Sequence, residues 1–262
     1  MTILSHGSDL RLAPTLRPLV VASGGSVRSA LAQVVKLEFQ AVQLDATLAG
    51  IRPRELSHRA RRDLSALLSR SDIQLAGIDL FLPREHYIDA QHMDRAVAAT
   101  IAAIELAADL GRVTVSISLP VAQVKADVKS AIVDAADGHG VRVAVHVEDQ
   151  IDDLIKWLDE VDQQCLGAGI DPAAVLARGG KPVKVTNRLA KRLAGARLSD
   201  LTSGAVRCAV GEGELEVAGY RIALDLAAGR TGPVVLDLRG IENPMAAAAS
   251  AKSAWEAATF TV

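Results

Sequence analysis

Aromatic side chains are nearly missing from this chain, with three Phe, two Tyr and two Trp among 262 residues. Half of the sequence is nonetheless hydrophobic, so its core has to be assembled from Ala, Val, Leu and Ile. Cysteine is scarce too. Cys165 and Cys208 make neither a disulfide framework nor the close pairs of a metal knuckle, so both thiols are expected reduced. Nowhere do eighteen apolar residues run together, and Met1 to Thr15 has no apolar stretch of signal-peptide type. A soluble cytoplasmic protein with no membrane partner is therefore expected. The 29 basic and 31 acidic residues leave a formal charge of −2 with no long run of one sign, so nucleic acid is not an expected partner.

What the chain does have is a repeated plan. Its clearest instance is Gly140-Val-Arg-Val-Ala-Val-His-Val-Glu-Asp149: a glycine that closes a helix, apolar positions with a period of two, then ionisable residues at the downstream end. Such a run between two amphipathic helices reads as a strand buried on both faces. After a polar leader over residues 1–17, the other strands are expected at Leu19–Ala22, Ala41–Asp45, Leu75–Leu80, Val113–Ser118, Leu166–Ile170, Ala194–Asp200 and Pro233–Leu238. Helices follow each of them, and the last is expected from Asn243 to Phe260. A long polar excursion, Arg84 to Asp94, carries His86, Tyr87 and His92 and is expected to cover a ligand. No linker divides the series and no glycine-rich phosphate loop follows the first strand. The pattern specifies a single-domain (β/α)8 barrel with strand exits at Ser23, Asp45, Asp79, Ser118, His146, Asp171, Arg197 and Asp237.

In such a barrel the downstream strand ends share one mouth, which gathers Asp45, Asp79, His146, Glu148, Asp171, Arg197, Asp200 and Asp237. A single Asp at a strand end serves as readily as a helix cap or in an ion pair, so it is their repetition at one rim that points to function. Glu148 follows His146 at the spacing that puts both on one strand face.

Several segments resemble the xylose isomerase-like TIM barrels, a family that includes sugar isomerases, ketose 3-epimerases and endonuclease IV-type enzymes. The carriers are Ala102–Gly111, Gly140–Val145, Gly169-Ile-Asp-Pro172, Ala196–Asp200, Arg207–Gly213 and Gly232–Asp237, in order along nearly the whole chain. The resemblance implies a divalent cation (manganese, magnesium or zinc) held by Glu, Asp, His and Glu at the ends of strands five to eight, with the two glutamates moving protons. Those positions here are His146, Asp171, Arg197 and Asp237, of which only Asp171 is identical. Arg197 departs most, because a guanidinium stays protonated and has no lone pair to offer a metal. A second family histidine is replaced by Ala174, whereas Arg207 matches an arginine that binds substrate hydroxyls.

Two functions follow as expectations. The first is a sugar, sugar phosphate or polyol isomerase or epimerase acting by proton transfer beside a carbonyl. His146, Glu148 and Asp237 are its acid/base groups, and Asp171, Arg197, Arg207 and Asp200 bind substrate. The second is a catalytically silent barrel that binds a metabolite or a partner protein. No metal is expected with assurance. Were one bound, His146, Asp171, Asp237 and Glu148 are the available ligands. The partner is a small carbohydrate-like ligand, and self-association into a homo-oligomer is left open.

Overall fold

The computed structural model describes residues 10–227 and 232–258. Eight parallel strands form the barrel: β1 (Leu12–Pro14), β2 (Ala41–Asp45), β3 (Gln74–Leu80), β4 (Thr114–Ser118), β5 (Val143–His146), β6 (Leu166–Ile170), β7 (Leu193–Leu198) and, past a short antiparallel hairpin of β8 (Asp200–Leu201) with β9 (Arg207–Cys208), β10 (Val234–Leu236). Each pairs with the strand before it in space, and a single parallel bridge from Thr15 to Gln43 joins β1 to β2 and nearly closes the ring. Around it lie α1 (Leu16–Ala22), α2 (Val27–Lys36), α3 (His58–Arg70), α4 (Met93–Asp109), α5 (Ala126–His139), α6 (Ile151–Val161), α7 (Pro172–Ala177), α8 (Pro182–Leu189), α9 (Val217–Asp225) and α10 (Pro244–Ala257). Among the described residues, no helix is long and apolar enough to cross a membrane.

The two faces of each strand have different work. Val42, Leu44, Ile78, Leu80, Val115, Ile117, Val143 and Val145 are all buried and alternate with positions of quite different character. Those other positions face the barrel axis and are small or polar, such as Gln43, Gly77, Ser116, Ala144 and Gly195. A methyl group on Gly195 would lie 3.0 Å from Cβ of Ala144 and 4.0 Å from Oγ of Ser116, and one on Gly77 would lie 3.9 Å from Nε2 of Gln43. Apolar contacts with the helices therefore stabilise the ring from outside. The axis is left narrow below and polar above.

The first strand lies elsewhere than the sequence suggests. Leu19–Ala22 belongs to α1, and β1 falls inside the stretch read as a leader. The reason is periodicity: Leu16, Leu19 and Val20 are buried while Val21 is exposed, the one-sided stripe of a helix rather than the alternation of a strand. Burying Leu16 and Leu19 contributes about 2 kcal/mol each. Pro18 sits in the first turn, where a missing N–H costs nothing. Ser23 is thus the C-cap of α1, and Thr15 takes its place at the strand exit, its Oγ1 accepting from the Leu238 N–H at 3.0 Å. The leader's residues 1–9 and the end of the last expected helix, Thr259 and Phe260, lie outside the described residues.

Candidate active site at the barrel mouth

Gly195 and Arg197 alternate along β7, so Arg197 points into the barrel at its downstream end, where it is buried. Its Nη2 donates to Oδ1 of Asp79 at 2.6 Å and its Nη1 to Oδ2 of Asp237 at 3.3 Å, with Oδ2 of Asp171 at 3.8 Å. Arg239 closes the arrangement from the loop after β10. Its Nε and Nη2 grip the two oxygens of Asp237 at 2.9 and 2.5 Å, and its Nη1 reaches Oδ2 of Asp79 at 3.1 Å. The hairpin after β7 carries Arg207 back over the mouth. There its Nη2 donates to the Asp237 carbonyl at 3.1 Å and lies 3.3 Å from Oδ2, while its Nη1 is 3.9 Å from Asp171. Three carboxyl groups thus face three guanidiniums in paired, charge-assisted bonds.

Burial and pairing pull the acids in different directions. Burial pushes Asp79 up to about 6 against the pull of Arg197. It pushes Asp237 up to about 7 against Arg197 and Arg207. For Asp171 burial also acts upward, but Arg197, Arg207 and the Ser199 hydroxyl, which donates at 2.5 Å, together hold it below the usual range. Burial opposes the charge on Arg197, and the three carboxylates, Asp79 foremost, more than reverse that, so it stays protonated even more firmly than a free guanidinium.

His146 ends β5 beside this cluster. Its ring packs against β6 so closely that a methyl group on Gly169 would clash with the imidazole, far inside van der Waals contact. Among the described residues neither of its buried ring nitrogens has a hydrogen-bond partner, at a cost of about 1–3 kcal/mol for each unsatisfied group. Burial first, and then Arg197, lower its pKa to about 3, so the ring is a neutral imidazole with one N–H and one lone pair uncommitted.

Other residues singled out in the sequence stand elsewhere. Strand β5 stops at His146 and the chain bends at Glu148 and Asp149, so the same-face spacing ends before Glu148. Its carboxylate is half-exposed at the rim and pairs with Arg178 at 3.0 Å and Arg84 at 3.3 Å. Asp200 is buried, and its two oxygens accept from the backbone N–H groups of Leu201, Leu215, Gly211 and Gly213 at 2.8 to 3.0 Å. It therefore holds the loop after the hairpin rather than a ligand. Asp45 accepts from Arg17 at 3.1 Å and from Thr47. In the excursion Tyr87 is a core residue bonded to the Thr100 hydroxyl at 2.8 Å, and burial pushes its phenol up to about 12. His86 stacks on His92, which pairs with Asp89. Among the described residues, no three of His, Cys, Asp and Glu stand so as to share a metal ion. Arg239 escaped the sequence reading. The available signal was its place two residues past Asp237, where a buried run of acids needed another cation.

Fold and mouth together define a (β/α)8 barrel with a polar site at the downstream ends of its strands. The model of the xylose isomerase-like TIM barrel family matches residues 31–257, and the chain belongs to that family. Similar solved structures include a xylose isomerase domain protein from Planctomyces limnophilus, with TM-score 0.76, 18% identity and 96% of this chain covering 97% of that one. A D-tagatose 3-epimerase-like protein gives TM-score 0.77 and 15% identity, over 95% of this chain and 97% of that one. A family protein from Mycobacterium smegmatis in complex with magnesium gives 0.72 and 15%, over 95% and 96%. No curated protein sequence matches the chain.

Proposed function

We propose that the chain acts on a small carbohydrate-like ligand at the barrel mouth by proton transfer beside a carbonyl, as an isomerase or epimerase without a divalent metal. The observation that carries this reading is His146, whose two ring nitrogens are buried in the mouth with no partner among the described residues. Native structures rarely bear that cost without a use for it. A neutral imidazole can accept a proton from the carbon beside a carbonyl and return it. The enediolate's negative charge beside the ring offsets its lowered basicity during the transfer, and the fixed charge of Arg197 favours that enediolate. Arg207 and Arg239, more exposed than Arg197, are the donors for ligand oxygens.

The donor set does not fit the family's cation. Arg197 lies among Asp79, Asp171 and Asp237, and Arg207 and Arg239 add two further charges. A unit positive charge ~4 Å from a divalent ion repels it by about 8 kcal/mol at an effective dielectric near 20. No step is therefore routed through a metal.

A second reading, a binding barrel without catalysis, has one observation in its favour. Asp171 and Asp237 are tied to arginines and Glu148 is turned to the rim, so no free carboxylate shares the proton work. Proton exchange into a panel of ketoses, aldoses, their phosphates and their acids in D2O, followed by NMR with a chelator present, separates the two. Exchange that is lost in His146→Asn supports the enzyme. Ligand binding with no exchange supports the binder.

A further inference from the structure

Beside the mouth lies a cavity of about 540 Å³ lined by Arg17, Val21, Phe81, Leu238, Arg239 and Ile241 among others, a size that suits a small organic ligand. Phe81 and Val21 are 54% and 71% exposed, large apolar surface left in water at the edge of a concavity, which marks a contact site. One residue, Arg239, belongs both to this lining and to the mouth. The Arg239 guanidinium lies 4.5 Å above the Phe81 ring and also holds Asp79 and Asp237.

The buried acids that the two arginines of this lining touch are already paired. Asp45 already takes Arg17, the Thr47 N–H and the Thr47 hydroxyl, while Asp79 takes Arg197 and Arg239. Among the described residues Arg17 donates through Nη1 alone, and it is 44% exposed. A guanidinium carries five N–H groups, so Nη2 and Nε of Arg17 are uncommitted. Glu242, exposed at the edge, is the acid of the lining and opposes a second anionic group there.

We infer that this cavity takes a second ligand, an organic acid with an apolar body, its carboxylate or phosphate held between Arg17 and Arg239 and its body packed on Phe81, Val21 and Ile241. Paired N–H donors match either oxyanion. The inference concerns this cavity alone and goes beyond the carbohydrate-like ligand proposed for the mouth.

The test is calorimetric titration of the intact protein with benzoate, phenyl phosphate and the neutral benzyl alcohol. At least one acid is expected to bind about tenfold or more tightly than the alcohol, and Phe81→Ala and Arg17→Met should each weaken it by about tenfold. Arg59→Met, on the exposed face of α3, should leave it unchanged. The stronger of the two acids identifies the anion as carboxylate or phosphate. Equal affinity for the alcohol, equal binding to Phe81→Ala, or no saturable binding of either acid overturns the inference. Circular dichroism of both variants, whose substituted side chains are exposed, checks that they fold. Proton exchange at the mouth with no binding of these probes would leave the proposed function standing and remove the cavity. Probe binding with no exchange would do the reverse.

Discussion

Nη2 of Arg197 meets Oδ1 of Asp79 at 2.6 Å across the barrel, joining residues 118 apart in sequence. Both side chains are about 5% exposed, so each depends on the other for its charge. Arg197→Met leaves Asp79, Asp171 and Asp237 with less pairing than burial requires. The expected loss is about 3–5 kcal/mol at neutral pH, measured by urea unfolding. It should shrink below about pH 6, where Asp79 takes up a proton. A loss under about 1 kcal/mol would mean that Arg239 and Arg207 suffice.

His146 should write a pH signature on stability. Its folded pKa is lowered from 6.5 to about 3, so between those values the unfolded chain binds more protons than the folded one. Stability from this group is complete above the unfolded value and falls as pH drops through the window, by up to about 1.4 kcal/mol per pH unit. In thermal melts from pH 7 to 4 the protein should therefore lose stability more steeply than His146→Asn as pH falls. Parallel curves would show that the ring is not buried neutral.

Gly169→Ala tests the same ring from the neighbouring strand. The new methyl has to displace the imidazole, an overpacking cost of about 1–3 kcal/mol. Proton exchange should fall with it as in His146→Asn. Unchanged exchange would place the working group elsewhere.

Asp200→Ala should loosen the loop after the hairpin, because four backbone N–H groups lose their acceptor. Hydrogen exchange at Gly211, Gly213 and Leu215 is expected to rise by about tenfold or more. If it rises no more than at Gly195, Asp200 is not what holds the loop.

The barrel was legible in the sequence because β2 to β7 largely alternate apolar with small or polar residues at a period of two, and β10 is an apolar run between Pro233 and Asp237. Strands β6 and β7 read weakly for a physical reason. Gly167, Gly169 and Gly195 face the axis, where His146, Arg142 and Ala144 leave no room for a side chain, so packing outweighs β propensity. Strand β1 has three residues, too few to show a period, and the apolar run that imitated it is helical. At the site, Arg197 and Asp171 were visible at strand ends, and Arg207 through the family resemblance. Two facts were not. The bend after His146 moves Glu148 to the rim, and the folding of the loop after β10 brings Arg239 onto Asp79, a pairing between distant segments that no local pattern records.

We propose that the guanidinium charge of the mouth excludes a divalent ion, and manganese titration by calorimetry tests this most directly. The unmodified protein should bind no ion more tightly than about 1 mM. Arg197→His, which removes that charge and supplies an imidazole, should bind at least about tenfold more tightly. Saturable binding of one ion by the unmodified protein in the micromolar range, lost in Asp171→Asn, would contradict the account.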